Sequence, residues 1–214
     1  MARNISLLGK FIIAIALSLI VSTIALTVIF ISSFKSNVME GMFFKARAIG
    51  QIAENARNST GNLVQNNAFR TKELLADAQG VLAGLTVGSK PYFDALRRTT
   101  YYKTIPVVSA FLAAEHNAEK SHFKFKPTRF NARNPDYNPV TPTEKRLLQD
   151  LQAAGKEEVS GIDKETNAFR YMLTVKLSKD CLVCHGGPND DPSHPGATTD
   201  PVGFPKDNKR VGDK

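Results

Sequence analysis

Phe11 to Phe34 is an uncharged run of 24 residues, FIIAIALSLIVSTIALTVIFISSF, bracketed by Lys10 and Lys35. As a helix rising 1.5 Å per residue it spans the hydrocarbon core of a bilayer. Inside that core only a structure that satisfies its own backbone is stable, and a single helix does so. A cleavable signal peptide is the competing reading, but it has a shorter apolar region and closes on a small-residue cleavage site. Here the run ends in Ser32-Ser33-Phe34-Lys35, which favours an uncleaved anchor. The chain therefore divides into a short N-terminus (residues 1–10), a transmembrane helix (11–34), membrane-proximal helices (35–90) and a C-terminal domain (91–214). Charge does not orient the helix. Arg3 and Lys10 precede it, and Lys35, Lys45 and Arg47 follow it.

From residue 36 to about 58 the chain continues to read as helix. Val38, Met42, Ala46, Ile49, Ala53 and Ala56 recur at three- and four-residue steps, with Glu40, Lys45, Arg47 and Glu54 on other faces. An alanine-rich stripe of this kind packs either on its own domain or on a second protomer, as in a homodimer. Asn58-Ser59-Thr60-Gly61 and Asn66-Asn67 read as breaks. Thr71 caps a further helix to about Val87, on which Gly80, Gly84 and Gly88 recur at four-residue steps.

Beyond residue 90 the pattern is of short elements. Pro91 to Leu96 and Pro106 to about Asn117 read as helices with proline in the first turn, the second capped by Thr104. His122-Phe123-Lys124-Phe125-Lys126 alternates as a strand does. A proline- and asparagine-rich loop, RFNARNPDYNP, covers Arg129 to Pro139. Thr141, Pro142 and Glu144 make a capping box that opens a helix to Ala154, stopped by Gly155. Glu157 to Ile162 and Ala168 to Leu177 form a hairpin, and the second strand delivers the chain to Cys181. After His185 the tail is an irregular loop without a closing strand or helix.

The chemistry is concentrated at Cys181-Leu182-Val183-Cys184-His185. It holds the only two cysteines of the chain and one of its four histidines. C-x-x-C-H is the spacing that attaches haem c: each thiol adds across a vinyl group, and the adjoining histidine becomes the proximal ligand of the iron. Cys181 and Cys184 are thus the thioether positions and His185 the axial metal ligand of one covalent haem. Three rival readings are weaker. A redox C-x-x-C belongs with a βαβ unit, and the approach here is one strand. A zinc site from Cys181, Cys184 and His194, with His185 or Asp190, asks the adjacent Cys184 and His185 to serve one ion. A disulfide across so short a loop stabilises little.

Several segments resemble the Tll0287-like family of haem-sensor domains. They are Ile105-Pro106-Val107-Val108, the loop Ala132-Arg133-Asn134-Pro135-Asp136 with the capped helix after it, and Tyr171 followed by Cys181 to Gly186. The resemblance runs from about Ala53 to the end. It implies an α+β fold: an N-terminal transmembrane helix and helical stalk, then a PAS-like domain with a small antiparallel sheet, flanking helices and one haem c. It also implies the extracytoplasmic input of a chemoreceptor or sensor kinase. Such receptors continue through another strand, a returning membrane helix and a signalling module, none of which follows here. The chain reads as the input region of a longer sensor or, less favoured, as an anchored stand-alone domain. Some relatives supply a second axial cysteine, and this sequence has none outside the motif. His116, His122, Met42 and Met172 are the side chains to weigh, and none stands out as the distal ligand. Arg129 and Arg133 are candidate partners of the haem propionates, or simply surface arginines.

Haem c is attached outside the bacterial inner membrane, in an oxidising compartment. The expected placement is therefore single-pass in the inner membrane with the C-terminal domain periplasmic. The expected function is a sensor of redox state or of a small gaseous ligand, acting in signal transduction such as chemotaxis. The alternative is an anchored monohaem cytochrome in electron transfer, against which stands the bulk of protein between anchor and motif. No enzyme is expected, because nothing places acid–base groups beside the iron. The net charge of +8 is spread among acidic residues, so nucleic acid is not an expected partner.

Overall fold

The computed structural model describes residues 6–116, 123–153 and 155–213. It divides into two compact units, Met1–Lys45 and Ala46–Lys214. Helix α1, Leu7–Gln65, runs unbroken from one into the other. Its N-terminal part is, among the described residues, the one segment long and apolar enough to cross a membrane. A helix of this character near an N-terminus serves as a membrane span or as a signal sequence.

Asn58-Ser59-Thr60-Gly61, expected to break the helix, stays helical. The reason is packing. The buried residues of α1 are Gly50, Ala53, Arg57, Thr60 and Gly61, one face at helical spacing. Thr60 bonds Ser109 through its hydroxyl (2.9 Å). A Cβ on Gly61 would lie 3.0 Å from Asp180 Oδ2, and one on Gly50 3.3 Å from the Tyr171 ring. These small residues are there for close approach, not for a turn. Within residues 46–65 the stripe thus packs on the helix's own domain, with Ala53 against Ala110 and Ala114. The helix ends at Gln65, where Asn67 takes a positive φ of 53°.

Helices α2 (Thr71–Leu82), α3 (Lys90–Arg98), α4 (Thr100–Thr104) and α5 (Pro106–Glu115) follow. Four details depart from the sequence reading. The N-cap of α2 is Arg70, while the Thr71 hydroxyl donates to the Phe69 carbonyl. Helix α2 stops at Leu82 rather than Val87, because Gly84 and Gly88 adopt φ of +78° and +82°, a left-handed conformation that ends helices. Thr104 closes α4 and does not cap α5, whose N-cap is Ile105. Helix α5 ends at Glu115, with His116 as its exposed C-cap. Ser89 and Thr99 are the side-chain caps, accepting from the amides of Tyr92 and Tyr102. Leu82, Tyr92, Leu96 and Phe204 form one core cluster, so the tail contributes an aromatic ring to the helical layer.

Phe123 to Lys126 does not pair as a strand, and His122 lies outside the described residues. Lys126 instead sends its ammonium to the Asn138 carbonyl (2.7 Å). The loop after it holds a 3-10 turn, Pro135–Tyr137, capped by Asn134. Helix α6 (Pro142–Ala153) has the expected cap: the Glu144 amide donates to Thr141 Oγ1 (3.1 Å). The Glu144 carboxylate reaches the Val140 amide (2.7 Å) rather than that of Thr141.

The sheet is a two-stranded antiparallel hairpin, β1 (Glu158–Asp163) and β2 (Ala168–Leu173), in register from Glu158–Leu173 to Asp163–Ala168. Asn167 turns it with φ of 48°. Fully buried Asp163 closes the end, accepting from Thr141, Arg170 and the Glu165 amide. The fold is thus mixed, mostly helical, with a small antiparallel sheet. The ladder ends at Leu173 rather than Leu177, but Leu177 still pairs. Its amide donates to the Asp213 carbonyl (2.9 Å), and it accepts from the Gly212 amide (2.8 Å). The segment from Leu177 to Asp213 is therefore a closed loop.

Candidate functional site

That closed loop carries the cysteine–histidine motif. Lys179–Cys181 is a 3-10 turn that passes directly into α7 (Leu182–His185). Both cysteines are free thiols. Gly186 ends α7 by donating its amide to the Leu182 carbonyl (2.8 Å), and a Cβ there would come within 2.6 Å of that same oxygen. Glycine at this place is a steric requirement of the turn. Burial pushes the Cys184 thiol up to about 12, so it is protonated at neutral pH.

Two elements far away in sequence meet the motif. Arg57 of α1, buried and paired with Glu54 at 2.6 Å, reaches Ser178 Oγ (3.2 Å) and Cys181 Sγ (3.8 Å). Arg133, from the Arg-Asn-Pro loop, donates to the Cys184 carbonyl (3.1 Å) and the Pro205 carbonyl (2.8 Å). It also pairs with Asp200 (2.7 Å) and Asp207 (3.0 Å).

Asp207 is the residue the sequence reading missed. Its Oδ1 lies 3.0 Å from His185 Nδ1, and its Oδ2 accepts from Arg129 (3.0 Å). Burial opposes ionisation of Asp207, but the hydrogen bond with His185 and the charges around it outweigh burial. Its carboxyl is held below the usual carboxylate range. Burial likewise drives the His185 imidazole toward its neutral form, against the pull of Asp207. A carboxylate only accepts, so the single ring proton sits on Nδ1 and the lone pair on Nε2. A neutral imidazole with a free Nε2 is the form that binds a metal. Nothing but the His–carboxylate pairing itself could have flagged Asp207, which lies 22 residues beyond His185 in a loop without periodicity.

The donor set fits haem c: two unpaired thiols and an oriented imidazole on one turn. The rival chemistries fit less well. The only sheet among the described residues is the antiparallel hairpin, not a βαβ unit. Among the same residues no three His, Cys, Asp or Glu side chains converge as a zinc ion requires, and His194 is engaged with Asp191 (3.2 Å). Arg129 and Arg133, considered for the propionates, are committed to Asp207 and Asp200. Of the side chains weighed as distal ligand, His116 is exposed, Met172 is half-buried in β2 and Met42 is exposed on α1.

A family model, Tll0287-like, matches residues 35–213. The chain belongs to the Tll0287-like family. The match starts well before Ala53, so the membrane-proximal part of α1 is part of the Tll0287-like region and not an appendage to it. No curated protein and no solved structure matches the chain.

Proposed function

We propose that this Tll0287-like chain is a membrane-anchored, periplasmic haem c input domain for signal transduction, with Cys181 and Cys184 as thioether positions and His185 as axial ligand. The observation that carries the reading is the Cys181–Cys184–His185 turn with His185 Nδ1 held by the Asp207 carboxylate, which leaves the ring's lone pair on Nε2. When bound, the haem supplies an iron that changes redox state or takes a small gaseous ligand. Cys181 and Cys184 tether it, and Gly186 keeps the turn tight enough to present both. Asp207 fixes the tautomer of His185. Arg133 holds the Cys184 peptide to the tail, so the ligand and its tether move together. Arg57 brings α1 to the first cysteine, giving the stalk a direct contact with the site. That contact is what a sensor needs, because an input is useful only if an element with two arrangements feels it. Nothing here assigns a reaction to the chain. The inner membrane and a second copy of the chain through the membrane-proximal helices are its proposed partners, with no nucleic acid.

The test is spectroscopic. Haem retained by the wild type after acid–acetone extraction and lost from Cys181→Ser/Cys184→Ser establishes covalent attachment. Retention by the double variant overturns it. Spectra of the oxidised and reduced protein with carbon monoxide or nitric oxide then separate the roles. A six-coordinate haem inert in both states removes the gas sensor and leaves a redox sensor or the alternative, an electron-transfer cytochrome.

A further inference from the structure

Forming the two thioether bonds needs neither the Arg-Asn-Pro loop nor the 200–209 segment, yet together they hold the proposed axial histidine. Asp207 Oδ1 faces both His185 Nδ1 (3.0 Å) and Arg133 Nη2 (3.0 Å), while Oδ2 takes Arg129 Nη1 (3.0 Å). Arg133 is fixed in turn by buried Asp200, which accepts the amides of Val202 (3.0 Å) and Phe204 (2.9 Å), and by the Phe204 ring 5.5 Å away. The motif's own backbone is tied to the same frame. The Lys209 amide donates to the His185 carbonyl (2.7 Å) and Arg133 to that of Cys184 (3.1 Å).

We infer that Asp207, clamped by Arg133, is the positioning residue of the axial ligand, and that its hydrogen bond to His185 sets the reduction potential of the bound iron. This rests on the haem reading above. A carboxylate that draws on the Nδ1 proton makes the imidazole a stronger electron donor, which favours ferric over ferrous iron. Arg129 and Arg133 pull the other way, because each draws carboxylate charge away from the imidazole. The potential is therefore set by a contest whose members lie on three separated pieces of chain.

The experiment is a potentiometric titration of the haem-loaded full chain at pH 7. Asp207→Ala raises the potential by about 59 mV, a tenfold change in the ferric-to-ferrous ratio for one electron. Asp207→Asn raises it by less, since the amide oxygen still accepts. Arg129→Gln lowers it. Asp180→Asn is the control. It removes the same charge from the residue before Cys181 without touching His185, and moves the ratio by less than about twofold. Should Asp207→Ala fail to accumulate, Asp207→Asn and the half-exposed Arg129 carry the test, since they shift in opposite directions. Unchanged potentials in both Asp207→Asn and Arg129→Gln overturn the proposal. So does an Asp180→Asn shift equal to that of Asp207→Asn, which would make the effect one of net charge. A wild type without covalent haem sinks the parent reading instead, and acid–acetone extraction tells the two failures apart.

Discussion

Gly186 and Glu144 are single positions on which larger pieces depend. A methyl group at Gly186 meets backbone, the Leu182 carbonyl at 2.6 Å, as well as Asp190 Cβ at 2.6 Å. Backbone cannot rotate away as a side chain does. Gly186→Ala is therefore expected to cost about 1–3 kcal/mol in chemical denaturation, the range for overpacking, and to lower haem incorporation. Glu144 is buried and accepts from Val140, Lys126 and Arg170. Glu144→Gln turns an amide toward Arg170 and is expected to lose about 2 kcal/mol, as for a charged hydrogen bond. Both residues had a sequence signal, the motif's following glycine and the capping box. Asp207 had none. Nor did the partners of Arg133, because ion pairs between distant loops leave no period in a sequence.

At the scale of elements, legibility followed locality. Helices α3, α5 and α6 and the hairpin were readable because proline, caps and alternation act within a few residues. The break expected at Asn58–Gly61 failed because threonine and glycine there answer to Ser109 and Asp180, which lie far along the chain. The alternation at Phe123–Lys126 failed because no strand among the described residues pairs with it. The face assigned to α1 is open to test. Ala53 is 4% exposed against Ala110 and Ala114, and Ile52 beside it is 62% exposed. Ala53→Leu is expected to destabilise the domain by about 1–3 kcal/mol, whereas Ile52→Ala changes it by less than about 0.5 kcal/mol. Equal effects on the urea midpoint would mean that the helix is turned differently.

Over the whole molecule, acid is the expected weak point. Burial opposes the charged forms of Glu144, Asp163 and Asp207, yet their donors outweigh it and hold each carboxyl below its ordinary value. A carboxyl whose folded pKa is depressed stabilises the fold above its unfolded pKa of about 4. That stability drains as pH falls through the folded value. Thermal midpoints are thus expected to be flat near neutrality and to fall steeply below about pH 4. A midpoint that rises on acidification would contradict these assignments. The expected topology is equally direct to check: alkaline phosphatase fused after Gly212 should be active, and an active cytoplasmic reporter at that junction would reverse the placement.

The pairing of Leu177 with Gly212 and Asp213 has a consequence for the order of assembly. Cys181, Cys184, His185 and Asp207 all fall between those paired residues, so the candidate site is topologically local. Closing a loop costs entropy that grows only as the logarithm of its length, and short closures are fast. The contact of Arg57 with Cys181 spans 124 residues and has no such advantage. The cysteine–histidine loop is therefore expected to close before α1 docks, presenting its thiols while the stalk is still free. Pulse-labelled hydrogen exchange reads this order: amide protection at Lys209 and Gly212 should precede protection along residues 50–61. The reverse order would mean that the stalk organises the site rather than receiving it.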